Sequence, residues 1–78
     1  MTVDIYTTQT CPYCVAAKAL LISKGITYRE HDVNGSQALR ALLIEDTGRR
    51  TVPQIYMDDT HIGGFTDLEH YFQQQTTH

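Results

Sequence analysis

Val3-Asp4-Ile5-Tyr6-Thr7-Thr8-Gln9-Thr10-Cys11-Pro12-Tyr13-Cys14 is the stretch on which the fold turns. Val3 and Ile5 project to one side of an extended chain and Asp4 and Tyr6 to the other, the period of two expected of a half-buried strand. Pro12 suits the first turn of a helix, where the N–H it lacks has no intrahelical partner to lose. A strand therefore hands over to a helix at Cys11. A thiol at that junction meets unpaired N–H groups and the positive end of the helix dipole, and both favour the thiolate. Cys14 returns one helical turn later, near enough to close a disulfide within the motif. Such a pair can shuttle two electrons.

The 78 residues have room for one domain, spanning 1–78, with a small core. A secreted domain of this size would need bridges between distant segments, whereas the two cysteines here can close only a local loop. They point to redox or metal chemistry in a reducing compartment, and a cytoplasmic location is expected. The most apolar segment, Val15 to Ile22, is interrupted by Lys18 and too short to span a bilayer, and no leader pattern stands at the N-terminus, so no membrane partner is expected. The net charge is −3 with the two signs interspersed, which gives no footprint for nucleic acid.

Outward from the cysteines, Cys14, Ala17, Leu20 and Leu21 recur at helical spacing, and Lys24-Gly25 supplies a basic last turn and a stop. Ile26 to His31 reads as a second strand. Asn34-Gly35-Ser36 makes a turn and an N-cap for a helix carrying Ala38, Leu39, Leu42 and Leu43, ended by Thr47-Gly48. After Val52-Pro53, Gln54-Ile55-Tyr56-Met57 alternates, Asp58-Asp59-Thr60 forms a hairpin turn, and His61-Ile62 returns until Gly63-Gly64 breaks the strand. Thr66-x-x-Glu69 matches a capping box before a Leu68, Tyr71, Phe72 stripe, with Gln73 to His78 expected to fray. The order is β-α-β-α-β-β-α. A crossover makes the first two strands parallel and a short hairpin makes the last two antiparallel, so the expectation is an α/β fold with a four-stranded mixed sheet flanked by helices.

Position separates the two thiols: Cys11 at the helix entrance is the expected nucleophile and Cys14, one turn in, the resolving thiol. A zinc site would need two further ligands, and His31, His61, His70 and His78 fall at separations that make no pair on a helix face, so no metal is expected. Val52-Pro53 is a second candidate element. A proline ahead of a strand can follow a cis peptide that turns the preceding backbone groups outward, where a peptide could add as a short strand. A trans bond is the commoner case, and these residues alone leave both open.

Cys11-Pro12-Tyr13-Cys14, then Thr51-Val52-Pro53, then Gly63-Gly64-Phe65-Thr66-Asp67 together resemble the dithiol glutaredoxins, close in length and layout to the small bacterial ones. The resemblance covers nearly the whole chain. It implies a minimal thioredoxin fold, a cis peptide before Pro53, and reduction of glutathione mixed disulfides and protein disulfides with glutathione as co-substrate. It implies that Thr51 and Val52 pair through backbone with the cysteinyl part of glutathione, with Pro53 and Gly64 beside them. Thr66 and Asp67 would hold the γ-glutamyl end, Arg40 the glycyl carboxylate, and Tyr13 would flank the peptide. Its partners would be glutathione and glutathionylated or disulfide-bonded client proteins, and the protein a monomer.

One position departs from that pattern. Glutaredoxins often carry a lysine three residues before the nucleophile, and Thr8 stands there instead, which predicts a weaker hold on glutathione. Two rivals remain: a thioredoxin-like hydrogen donor recycled by a flavoprotein reductase, and an iron-sulfur cluster bridged by glutathione between two subunits.

Overall fold

The computed structural model describes residues 1–75; Thr76, Thr77 and His78, part of the segment expected to fray, lie outside the described residues. Seven elements follow one another: β1 (Val3–Thr7), α1 (Pro12–Ser23), β2 (Arg29–Asp32), α2 (Gln37–Thr47), β3 (Gln54–Met57), β4 (Thr60–Gly63) and α3 (Phe65–Gln75). The strands form one mixed sheet in the order β2-β1-β3-β4. β1 and β2 run parallel with Ile5 opposite Glu30, and β1 and β3 antiparallel with Ile5 opposite Ile55. β3 and β4 are antiparallel through a two-residue turn in which Asp58 and Asp59 both have positive φ, 49° and 67°. That turn twists with its strands, which is why such short hairpins use it.

Val3, Ile5, Ile55 and Met57 on one sheet face pack with Ala17 and Leu21 of α1 and Leu68 of α3 to make the core. The first strand was expected to be half-buried, but as an inner strand it is covered on both faces: Asp4, on the side opposite Ile5, is only 6% exposed. That second face lies under α2, where Asp4, Tyr6 and Tyr56 border Leu39, Leu43 and Asp46. Asp4 tolerates burial because Arg29 clasps it through two nitrogens at 2.8 and 3.0 Å and His31 Nε2 lies 2.8 Å away. A carboxylate out of water needs such partners. The sequence offered no sign of it.

Several boundaries differ from expectation; among them, Thr60, read as part of the hairpin turn, and Gly63, read as a break, both belong to β4. Ile26 N–H bonds the Leu21 carbonyl at 3.0 Å and Gly25 N–H the Ile22 carbonyl at 2.9 Å, a Schellman closure of α1. With its N–H spent on the cap, Ile26 does not join the sheet, and β2 begins at Arg29. Lys24 is the C-cap residue of α1 and lies outside its last turn; its ammonium sits 5.3 Å above the Phe72 ring, tying α1 to α3. α3 begins at Phe65 and continues through Gln73 and Gln74 to Gln75. Its first i→i−4 bond runs from Leu68 N–H to the Gly64 carbonyl, 3.0 Å, so Gly64 caps it and Thr66 lies inside the first turn. Capping is done by Asp67, whose Oδ2 accepts the Gly64 N–H at 2.9 Å, the reach-back half of a capping box shifted by two residues.

Candidate active site

β1 ends in the centre of the sheet, and the chain crosses from it into α1 at Cys11. Cys11 is the N-cap of α1, in extended conformation, with Pro12 in the first turn. Its Sγ accepts the backbone N–H of Cys14 at 3.2 Å, so the sulfur stands where the helix presents unpaired donors. From the other side the sulfur lies 3.5 Å from the Val52 carbonyl and donates to it as a thiol. Both cysteines are free. Cys11 is partly exposed whereas Cys14 is fully buried. Burial, followed by the hydrogen bond with the Cys11 sulfur, pushes the Cys14 thiol up to about 12. The sulfurs are thus chemically unequal: one is reachable and faces donors, the other is protonated and enclosed.

The Val52-Pro53 peptide is cis. Next to it a cleft of about 260 Å³ opens between the loop before β3 and the start of α3, lined by Tyr13, Thr51, Val52, Pro53, Gly64, Phe65, Thr66 and Asp67. Every site residue expected outside the cysteines lines it except Arg40. Arg40 borders a separate depression at the start of α2 with Val33, Gly35, Ser36 and Gln37. Phe65 joins the lining unforeseen, its ring 6.1 Å from that of the exposed Tyr13. Only the fold brings those rings together.

Two supports of the cleft were also missed. Gln54, fully buried, donates from Nε2 to the Thr51 carbonyl at 2.9 Å, and its Oε1 meets His61 Nε2 at 2.7 Å. With Oε1 as the acceptor, Nε2 of His61 is the protonated nitrogen. Arg49 Nη1 donates to Asp67 Oδ2 at 2.8 Å. Arg49 first and the Gly64 N–H second hold the Asp67 carboxyl below the usual carboxylate range. Gly63, at φ 126°, leaves room for that carboxylate: a Cβ there would collide with it. A polar residue at the head of an apolar strand was a visible signal for Gln54, whereas nothing local links Arg49 to Asp67.

Among the described residues no cluster of three or more histidine, cysteine or acidic side chains could hold a metal ion, and no helix is long and apolar enough to cross a membrane. A family model described as Glutaredoxin matches residues 3–62. The chain belongs to the glutaredoxin family. Glutaredoxin 3 of Escherichia coli K12 is 54% identical over 66 residues, covering 85% of this chain and 80% of the relative. A glutaredoxin of Pseudomonas aeruginosa is 50% identical over 66 residues, covering 85% and 79%. Among solved structures, a buckwheat glutaredoxin-glutathione complex superposes with TM-score 0.87 at 26% identity, covering 94% of this chain and 69% of the other. The solution structure of a Brucella melitensis glutaredoxin gives 0.84 at 43% identity, covering 95% and 80%. The glutaredoxin fold seen here is the expected thioredoxin fold, and the protein is a glutathione-dependent thiol-disulfide oxidoreductase. The hydrogen-donor and cluster-binding readings are not favoured.

Proposed function

We propose that this glutaredoxin reduces glutathione mixed disulfides through Cys11. The Cys11 thiolate attacks the glutathione sulfur, a Cys11–glutathione disulfide forms, and the client sulfur leaves as a thiolate that takes a proton from water. The thiolate of a second glutathione then attacks the bound glutathione sulfur, freeing Cys11 and releasing oxidised glutathione. For a protein disulfide, Cys14 displaces the client from Cys11 and leaves a Cys11-Cys14 bridge, which glutathione reduces. The observation that carries this reading is the 3.2 Å bond from the Cys14 N–H to the Cys11 sulfur at the N-cap, with the Cys14 sulfur itself buried.

Glutathione occupies the cleft in this reading. The backbone of Thr51 and Val52 pairs with its cysteinyl part, with Pro53, Gly64 and Tyr13 around it, and the first turn of α3 takes the γ-glutamyl end. A helix N-terminus favours the carboxylate, and Asp67 supplies the countercharge for the ammonium. Arg40 reaches the glycyl carboxylate from its own depression. The protein works as a cytoplasmic monomer on glutathionylated or disulfide-bonded proteins, without a metal, a nucleic acid or a membrane.

Turnover of a glutathionylated peptide by wild type, Cys11→Ser and Cys14→Ser tests substrate, nucleophile and route together. Cys11→Ser should be inactive, and Cys14→Ser should keep deglutathionylation while losing the dithiol route to protein disulfides. Loss of deglutathionylation in Cys14→Ser would overturn the assignment of roles.

A further inference from the structure

Lys18 follows Cys14 by four residues on α1, so the two share a face of the helix, with Cβ atoms about 5–6 Å apart. A long helical side chain leans back toward the N-terminus, which carries the Lys18 stem toward the turn that holds Cys14. The Lys18 side chain is only 27% exposed. Glu30 of β2 fixes it there, Oε2 accepting from Lys18 Nζ at 3.0 Å and from Thr7 Oγ1 at 2.8 Å. Thr7, fully buried at the end of β1, anchors that oxygen from the sheet, and the backbone of the next residue, Thr8, is hydrogen-bonded to Cys14. β1, β2 and α1 thus close a ring, from Cys14 through Thr8, Thr7 and Glu30 to Lys18 and back along one turn of the helix.

Deglutathionylation through Cys11 leaves Cys14 unused, but the dithiol route needs it ionised. In the reduced protein Cys14 is held protonated first by burial and then by the hydrogen bond with Cys11, whose charge acts in the same sense, whereas the Thr8 backbone and Lys18 favour the thiolate. Once Cys11 is bonded to a client, its sulfur is uncharged and a weak acceptor, so its hold on the Cys14 proton ends. The Thr8 backbone and the Lys18 ammonium are then left to oppose burial. Glu30 keeps that ammonium protonated above the ordinary lysine range, against the effect of partial burial, with Tyr28 and Cys14 adding to it.

We infer that Lys18, held by Glu30 and Thr7, is a positioning residue for the dithiol route: its ammonium stabilises the Cys14 thiolate when Cys11 is bonded to a client, and so sets how fast Cys14 expels that client. In that step the Cys14 thiol gives its proton to water and its thiolate attacks Cys11 Sγ. The Cys11–Cys14 bond forms as the Cys11–client bond breaks, and the client sulfur leaves with the electron pair of that bond and takes a proton from water. The inference rests on the dithiol route proposed above.

The test starts from the Cys11 mixed disulfide with a dye-labelled peptide, formed in acid from a pyridyl-activated peptide disulfide and then brought to neutral pH. Wild type should expel the peptide. Lys18→Met should expel it about threefold more slowly or worse, relative to its own turnover of a glutathionylated peptide, the scale of a partly exposed charge contact, and Lys18→Arg should recover part of the rate. Carbon-13 titration of Cys14 in Cys11→Ser supplies the sign. Adding Lys18→Met should move the midpoint up because a cation is lost, whereas removing a lysine that merely braced the fold would let water reach the thiol and move it down, or leave it in place. An unchanged release rate, or a midpoint that stays or falls, overturns the inference. If wild type fails to expel the peptide, or Cys14→Ser expels it equally well, the dithiol route itself is wrong and the inference falls with it, a result separable from the first.

Discussion

The side-chain amide of Gln54 donates to the carbonyl of Thr51 at 2.9 Å, so a fully buried residue of β3 closes the turn that leads into its own strand. The same amide group accepts from His61 on the neighbouring strand, which couples the hairpin to the wall of the cleft. Gln54→Leu removes both bonds and leaves the Thr51 carbonyl and the His61 N–H without partners, a loss of about 1–3 kcal/mol in stability. Denaturant unfolding should show it. Because Thr51 and Val52 line the cleft, the KM for a glutathionylated peptide should rise more than kcat falls. A variant that is less stable yet keeps its KM would show that the clamp holds the fold and not the cleft.

Cys14 should be chemically silent in the folded, reduced protein. Burial first, and the hydrogen bond with Cys11 second, push its thiol up to about 12, so at neutral pH it offers almost no thiolate to an alkylating agent. Iodoacetamide at pH 7 followed by mass measurement should find one label per chain, on Cys11. In Cys11→Ser, labelling should wait for denaturant. Equal labelling of both sulfurs in the native protein would contradict the division of roles.

The acid limb of the stability curve should depend on Asp4. Arg29 beside it, opposed in part by burial and aided by His31, holds its carboxyl below the ordinary carboxylate value. A depressed folded value means stability that is complete above the unfolded carboxyl's pKa, about 3.9, and is lost as pH falls through the folded one. Asp4→Asn should therefore give a shallower decline between mildly acidic and strongly acidic pH. Glu30, lowered by Lys18 and Thr7, and Asp67 keep part of the slope. An unaltered acid limb, measured by urea midpoints across that range, would exclude Asp4 as a contributor.

Thr8 lies next to the cysteines in space as well as in sequence, its backbone hydrogen-bonded to Cys14. A lysine placed there should attract a ligand carboxylate and favour an anionic sulfur nearby. Thr8→Lys should raise kcat/KM for a glutathionylated peptide by about two- to fivefold, the range of an exposed charge contact, and the gain should shrink as salt is added. No change at low ionic strength would refute the expectation that Thr8 weakens the hold on glutathione.

Legibility in the sequence followed the range of the interactions. The β-α-β-α-β-β-α order was readable because strand and helix periods and turn residues are local; of the hairpin turn expected over Asp58-Asp59-Thr60, Asp58 and Asp59 form the turn and Thr60 opens β4. The start of β2 was misjudged by three residues because Ile26, an apolar β-former, spends its N–H on the cap of α1. Thr66 looked like a cap because the Thr-x-x-Glu spacing is right; the helix starts earlier because the carboxylate of Asp67 folds back onto Gly64. Arg40 borders a depression of its own, apart from the cleft that the other expected site residues line, and residue spacing does not report which side of a helix meets which wall.

By itself the amino-acid order determined the chemistry: a thiol at the mouth of a helix with a second thiol one turn inside, flanked by strands whose crossover and hairpin dictate a mixed sheet. Helical rise, strand alternation and proline geometry act over a few residues, and no distant partner is needed to read them. The tertiary structure alone decided that Asp4 is buried in an ion cluster, that Gln54 braces Thr51 against His61, and that Arg49 holds Asp67 across 18 positions of chain. Those contacts depend on strand register and on where α2 and α3 end, which fix distances between residues that share no local pattern.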